Sequence, residues 1–88
     1  GKGNYYHNRG REQRIAGRYD QAIDLISKAI AIYPFDGGYY LQRGLVLKVR
    51  KNSGDLERAQ QDFTKPTELS PEEWLTWGNR AFVAYKLG

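Results

Sequence analysis

Between Tyr19 and Tyr33 the apolar residues fall at Tyr19, Ala22, Ile23, Ile26, Ala29, Ile30 and Tyr33. Steps of three and four residues place them in one stripe, so the stretch is predicted to be an amphipathic helix. Leu56, Ala59, Phe63 and Leu69 carry the same spacing further along. The alanines at Ala22, Ala29 and Ala59 mark where two helix axes are expected to approach closely. Pro34 and Pro71 end their helices, since proline disfavours helical backbone in the residue before it. Ser70, Pro71, Glu72 and Glu73 then start another: a serine cap, proline in the first turn and a glutamate three residues on. Five helices are predicted, over 3–16, 19–33, 37–51, 55–69 and 71–87. Pro66 interrupts the fourth. It lacks an amide for the carbonyl of Asp62, and its ring clashes there at a cost of about 3 kcal/mol. A kink, or an early end near Lys65, is the expected response.

The helices repeat. YYHNRG at residues 5–10 returns as YYLQRG at residues 39–44, an offset of 34, and GNRA at residues 78–81 is a weaker third echo. Gly17, Ala22, Ile26, Ala29 and Pro34 return as Gly54, Ala59, Phe63, Pro66 and Pro71, each 37 residues later. The difference between the offsets is a three-residue insertion between Gly44 and Gly54, in RKNSGD. A helix–helix turn tolerates such an insertion at little entropic cost.

Charge changes this picture at one end. The net charge is +4, yet residues 1–18 hold Lys2, Arg9, Arg11, Arg14 and Arg18 against Glu12 alone. Residues 59–75 hold Asp62, Glu68, Glu72 and Glu73 against Lys65. A basic end suits an acidic or phosphorylated partner, although a merely solvated helix face has the same look. No apolar run is long enough to span a membrane. With no cysteine, disulfides, thiolate metal sites and cysteine nucleophiles are excluded; with no methionine, the chain reads as a piece of something longer.

Catalytic chemistry has little to work with. His7 is the lone histidine, and its helical neighbours Gly10 and Arg11 supply no carboxylate for a metal. Asp20 and Asp24 lie one turn apart on the side of their helix expected to face water. Asp36, Gly37 and Gly38 read as a turn at a helix start. No nucleophile–base pair, phosphate-cradling loop or metal spacing is present, and neither an enzyme nor a cofactor is expected.

At these residues the chain resembles the tetratricopeptide repeat family, whose unit is a pair of antiparallel helices. Tyr6, Gly10, Gly17, Tyr19, Ala22, Ile26, Ala29 and Pro34 match the family pattern in the first unit. Tyr40, Gly44, Gly54, Ala59, Phe63 and Pro71 match it in the second, and Trp77, Ala81 and Gly88 in a third. The resemblance implies an all-α, right-handed superhelical array in a single domain over residues 1–88. Repeat one covers residues 3–36, repeat two residues 37–73 with the insertion, and residues 74–88 form the first helix of a third.

It also implies a concave groove lined by each unit's first helix. Carried over residue by residue, the groove takes Asn4, His7, Arg11 and Arg14, then Leu41, Leu45 and Lys48, then Leu75, Gly78, Phe82 and Tyr85. Ordinary packing between repeats is the competing account of Leu41, Leu45, Leu75 and Phe82. Tyr6, Tyr40 and Trp77 are expected in the core. Arg9, Arg43 and Arg80 recur in register, which favours a structural role for them through carbonyl or carboxylate contacts. The chaperone-binding members use a basic carboxylate clamp. The matching positions here are His7, Arg11, Gln42, Leu75 and Asn79, which lose its lysines, so that ligand is not expected.

The function implied is a non-catalytic protein–protein interaction scaffold, of the adaptor or assembly-factor type, binding an acidic peptide or a helix of its partner. The alternative is an RNA-binding helical-repeat module using the basic end; two and a half units would read few bases. A soluble, cytoplasmic setting is expected. Trp74, Trp77, Phe82, Tyr85 and Leu87 crowd the final helix, which is expected to be completed by further chain, a second copy or a partner.

Overall fold

The computed structural model describes residues 1–65, which form four helices and no strand: α1 (Lys2–Ile15), α2 (Tyr19–Ile32), α3 (Gly37–Arg50) and α4 (Asp55–Phe63). Each helix packs on the next, and α1 also meets α3. None of the four is long and apolar enough to cross a membrane. The predicted fifth helix, with Trp74, Trp77 and Arg80, lies outside the described residues.

All four helices end before their predicted limits, α1 and α3 by one residue, at Ile15 and Arg50. α2 stops at Ile32. α4 stops at Phe63, where the sequence predicts a helix to residue 69 with a break near Lys65. Thr64 donates its amide to the carbonyls of Gln60 and Gln61 and its hydroxyl to Gln61, closing the last turn. Lys65, next before Pro66, is not helical, as the steric conflict between a proline ring and the preceding backbone requires.

The repeated letters fold into repeated contacts. Gly17 and Gly54 both adopt left-handed backbone, φ 78° and 82°, at the turns joining α1 to α2 and α3 to α4. Within the helix pairs, Gly10 lies against Ile26 and Gly44 against the ring of Phe63. Each glycine lets a large residue of the second helix reach the backbone of the first. A third pairing recurs as well. The Lys28 ammonium stands 5.7 Å from the centre of the Tyr6 ring, and that of Lys65 stands 5.9 Å from Tyr40. Cation–π attraction of this kind contributes about 0.5–1 kcal/mol at exposed sites.

Ala22, Ala29 and Ala59 are fully buried, as their size and spacing require. One cluster joins Ala22, Ile26 and Val46; another joins Leu41, Leu47, Ala59 and Phe63. Ile23 packs against both clusters and so ties the first helix pair to the second. Tyr40 is buried, and its hydroxyl donates to the Pro34 carbonyl at 3.1 Å. Tyr6 is half-buried. By contrast, α1 buries only Gly3 and Gly10. Apart from the exposed Tyr5 and Ile15 its remaining surface is mainly polar or basic, so α1 adheres through close backbone approach more than through large apolar side chains.

Buried charge organises the second pair. Arg43 grips Asp62 with two bonds of 2.8 Å and reaches Ser27 at 3.2 Å, joining α3 to both α4 and α2. This hydrogen bonding holds the guanidinium pKa above the usual arginine value. Arg9 has the same register in α1, but Leu25 stands where Asp62 stands in the second pair. Arg9 accordingly turns outward to the Tyr5 hydroxyl and to Glu12. Recurrence of the arginine therefore carries a structural role in one unit only.

The inserted turn is locked. Arg50 holds Asp55 through bonds of 2.8 and 2.9 Å and reaches Asp20 on α2 at 2.8 Å. The Asn52 amide also donates to Asp55. Lys51 takes left-handed backbone at φ 59° between them. Asp20 remains 80% exposed, on the wet side anticipated for it, but it is one of Arg50's two partners.

Candidate partner-binding face

Tyr39 defines where α1 and α3 meet. Its hydroxyl donates to Asn4 Oδ1 at 2.6 Å, and its ring lies 5.0 Å from that of His7. Gly3 makes room for that ring, because a Cβ there would sit 2.9 Å from the Tyr39 hydroxyl oxygen. Burial holds the Tyr39 phenol above its ordinary pKa, with the Asp36 carboxylate adding to the effect. Asp36 is itself fixed as the N-cap of α3, accepting from the Gly38 amide at 2.8 Å, the bond a capping aspartate makes to free helix donors.

From this junction α1 continues through Arg11, Arg14 and Ile15, which follow His7 at four, seven and eight residues and share its side of the helix. On α3 the corresponding face runs through Gln42, Leu45, Lys48 and Val49. Ile15 is 71% exposed and Val49 is 49% exposed, although both are large aliphatic residues. They stand 34 residues apart, the period of the first helices, and that period was the signal that could have singled them out.

The groove positions inferred from the sequence therefore divide. Asn4 and His7 are brought together on Tyr39, and Arg11 and Arg14 share their helix face. Lys48 is half-buried, and burial holds its ammonium pKa below the usual lysine value. Leu45 is half-buried against the second apolar cluster. Leu41 takes the packing role: it is only 1% exposed, among Leu47, Ala59 and Phe63. It cannot contact a partner from there. Leu75, Gly78, Phe82 and Tyr85 lie outside the described residues.

The electrostatics of the face are one-sided. Every acidic side chain in an ion pair among the described residues is taken by Arg9, Arg43, Arg50 or Arg58. Arg11 and Arg14 pair with none of them. Beneath the surface, Arg14 Nε and Gln42 Oε1 are buried without a hydrogen-bond partner. One is a donor and the other an acceptor.

Away from this face, a concavity of about 310 Å³ opens between α2 and α4 beside Ile23, Ser27, Arg43, Arg58 and Asp62. Its central polar groups already satisfy one another, since Arg43 is bonded to both Asp62 and Ser27. Among the described residues, no group of three histidine, cysteine or acidic side chains is placed to hold a metal ion.

Residues 3–36 match the family model of the tetratricopeptide repeat. No curated protein and no solved structure matches the chain.

Proposed function

We propose, from the premise that residues 3–36 are a tetratricopeptide repeat, that the chain is a non-catalytic protein-interaction module whose α1–α3 face receives a segment of a partner protein. Repeats of this family generally mediate contacts between proteins. The observation that carries the reading here is the pair Arg11 and Arg14, two cations on one helix face with no carboxylate partner among the described residues. Arg43 and Arg50 are spent on contacts within the fold; Arg11 and Arg14 are left for something outside it. An adaptor or assembly-factor role follows from binding without chemistry.

RNA is the weaker reading because three of the four tyrosines on α1 and α3 are engaged within the fold, leaving Tyr5 as the exposed ring there for base stacking. Tyr39 is engaged by Asn4 and His7, Tyr6 by Lys28, and Tyr40 by Lys65 and the Pro34 carbonyl.

Peptides selected on the domain from a random display library provide the test. Arg11→Glu combined with Arg14→Glu is expected to weaken the selected peptides about tenfold or more at low salt, with helicity by circular dichroism unchanged. Equal affinity for the variant would overturn the assignment of the face. Tight binding of mixed single-stranded RNA, falling steeply between two salt concentrations, would establish the nucleic-acid reading in its place.

A further inference from the structure

The concavity between α2 and α4 has a floor. Both helices pack on α3 and not on each other, so α3 closes the space from below with Arg43 and Leu47. Leu47 is buried, and Ile23 of α2 packs against the cluster that contains it. One side of the concavity is therefore apolar. At about 310 Å³ the space holds about ten waters, or a ligand with about as many non-hydrogen atoms.

The polar side carries net positive charge. Two guanidiniums, Arg43 and Arg58, line it against one carboxylate, Asp62. Both Asp62 oxygens accept from Arg43, and the Asp62 side chain is 4% exposed. Little negative surface therefore faces the opening. The bonds to Asp62 and Ser27 take three of the five N–H donors of Arg43. They fix the guanidinium without exhausting it. Arg58 stands at the rim, 61% exposed, and the carboxylate it approaches at 3.7 Å, Asp55, is already held by Arg50.

We infer that this concavity binds a small monocarboxylate with a branched aliphatic tail, its oxygens between Arg43 and Arg58 and its tail on Ile23 and Leu47. Charge-assisted bonds from guanidinium to carboxylate are among the strongest a side chain makes. Two cations against one carboxylate leave a single positive charge, which a monoanion neutralises and a dianion overcompensates. The site lies away from the α1–α3 face, and the inference stands independently of the function proposed for that face.

Titration of the 88-residue chain, followed by two-dimensional amide NMR, tests it. 4-Methylpentanoate is expected to bind with a Kd of about 1 mM or tighter, shifting the amides of Ile23, Ser27, Arg58 and Gln61. Propionate, which lacks most of the tail, should bind about tenfold more weakly. 4-Methylpentanamide, which lacks the charge, should do the same. Arg58→Gln, at an exposed position, should weaken the acid about tenfold and leave the amide unchanged. Arg11→Glu combined with Arg14→Glu should leave the acid's affinity as it was.

Absence of shifts at 10-fold above that concentration overturns the site, as do shifts confined to α1. Propionate binding as tightly as the longer acid overturns the apolar contact. An amide that matches the acid, or an Arg58→Gln protein that matches wild type, overturns the anion site. Tighter binding of an acetylated tripeptide ending in leucine overturns the free acid as ligand and assigns the concavity to a protein chain end.

Discussion

Gly44→Ala is expected to destabilise the protein by about 2–3 kcal/mol, the range found for overpacked cores. In an ordinary helix interior the same change gains about 1 kcal/mol, so the sign alone is diagnostic. Gly44 lies in the interior of α3, and a Cβ there would stand 2.8 Å from Cδ1 and Cζ of Phe63. That ring is 3% exposed and packed against Leu41, Leu47 and Ala59, so it has no free direction in which to retreat. A loss of this size should lower Tm by roughly 10 °C or more in a domain this small. Phe63→Leu removes the obstructing ring edge. The double variant should therefore be less damaged than the two single losses added together, a coupling that urea titration of all four proteins measures. Strict additivity, or a stabilised alanine variant, would contradict the contact.

Such contacts were legible because they obey the repeat. Offsets of 34 and 37 residues locate Gly10 with Ile26 and Gly44 with Phe63, and the two turn glycines follow from the same count. The lysine–tyrosine pairs obey it too, though nothing in residue type alone distinguishes Lys28 and Lys65 from other surface lysines. Where the two units differ in environment, register misleads. His7 and Leu41 share a register, yet His7 stacks on Tyr39 while Leu41 disappears into the core. Arg9 and Arg43 share one as well, and a single aspartate decides their fates. The break in the fourth helix could be read from Pro66, but its last residue could not, because Thr64 closes the turn through its own hydroxyl and amide.

The candidate face departs from its sequence reading at the buried Leu41 for a related reason. Transferring groove positions identifies a side of each helix, whereas burial depends on what packs beside it. The uncommitted atoms of Arg14 and Gln42 have no sequence signature. Their lack of partners emerges only once every neighbouring donor and acceptor is placed. The polar character of α1 has a similar consequence for energetics. Because α1 buries two glycines and no large apolar side chain, substitutions on its outer face are expected to alter binding more than folding.

Arg50→Ala is expected to destabilise the protein by about 3 kcal/mol at neutral pH, the lower end of the range for stripping one partner from a buried pair. The Asp55 side chain is 1% exposed, so without Arg50 its charge would be left with the Asn52 amide and the more distant Arg58 at 3.7 Å. The bond to Asp20 adds little, since Asp20 is 80% exposed and solvent screens it. Asp20→Asn should therefore change stability by less than about 1 kcal/mol. The pH dependence separates the two ideas of what Arg50 does. Hydrogen bonding to Arg50 holds the Asp55 pKa below the usual aspartate value in the folded protein. Its stabilising contribution is thus complete above the unfolded value of about 3.9 and is lost as pH falls through the lower folded value. In Arg50→Ala the opposite applies: burial without a cation raises the Asp55 pKa, and protonation relieves an isolated charge. The stability gap between wild type and variant should consequently narrow from pH 7 to pH 3 in urea titrations. A gap of constant size across that interval would mean that Arg50 acts through packing of its aliphatic stem, with Asp55 a bystander.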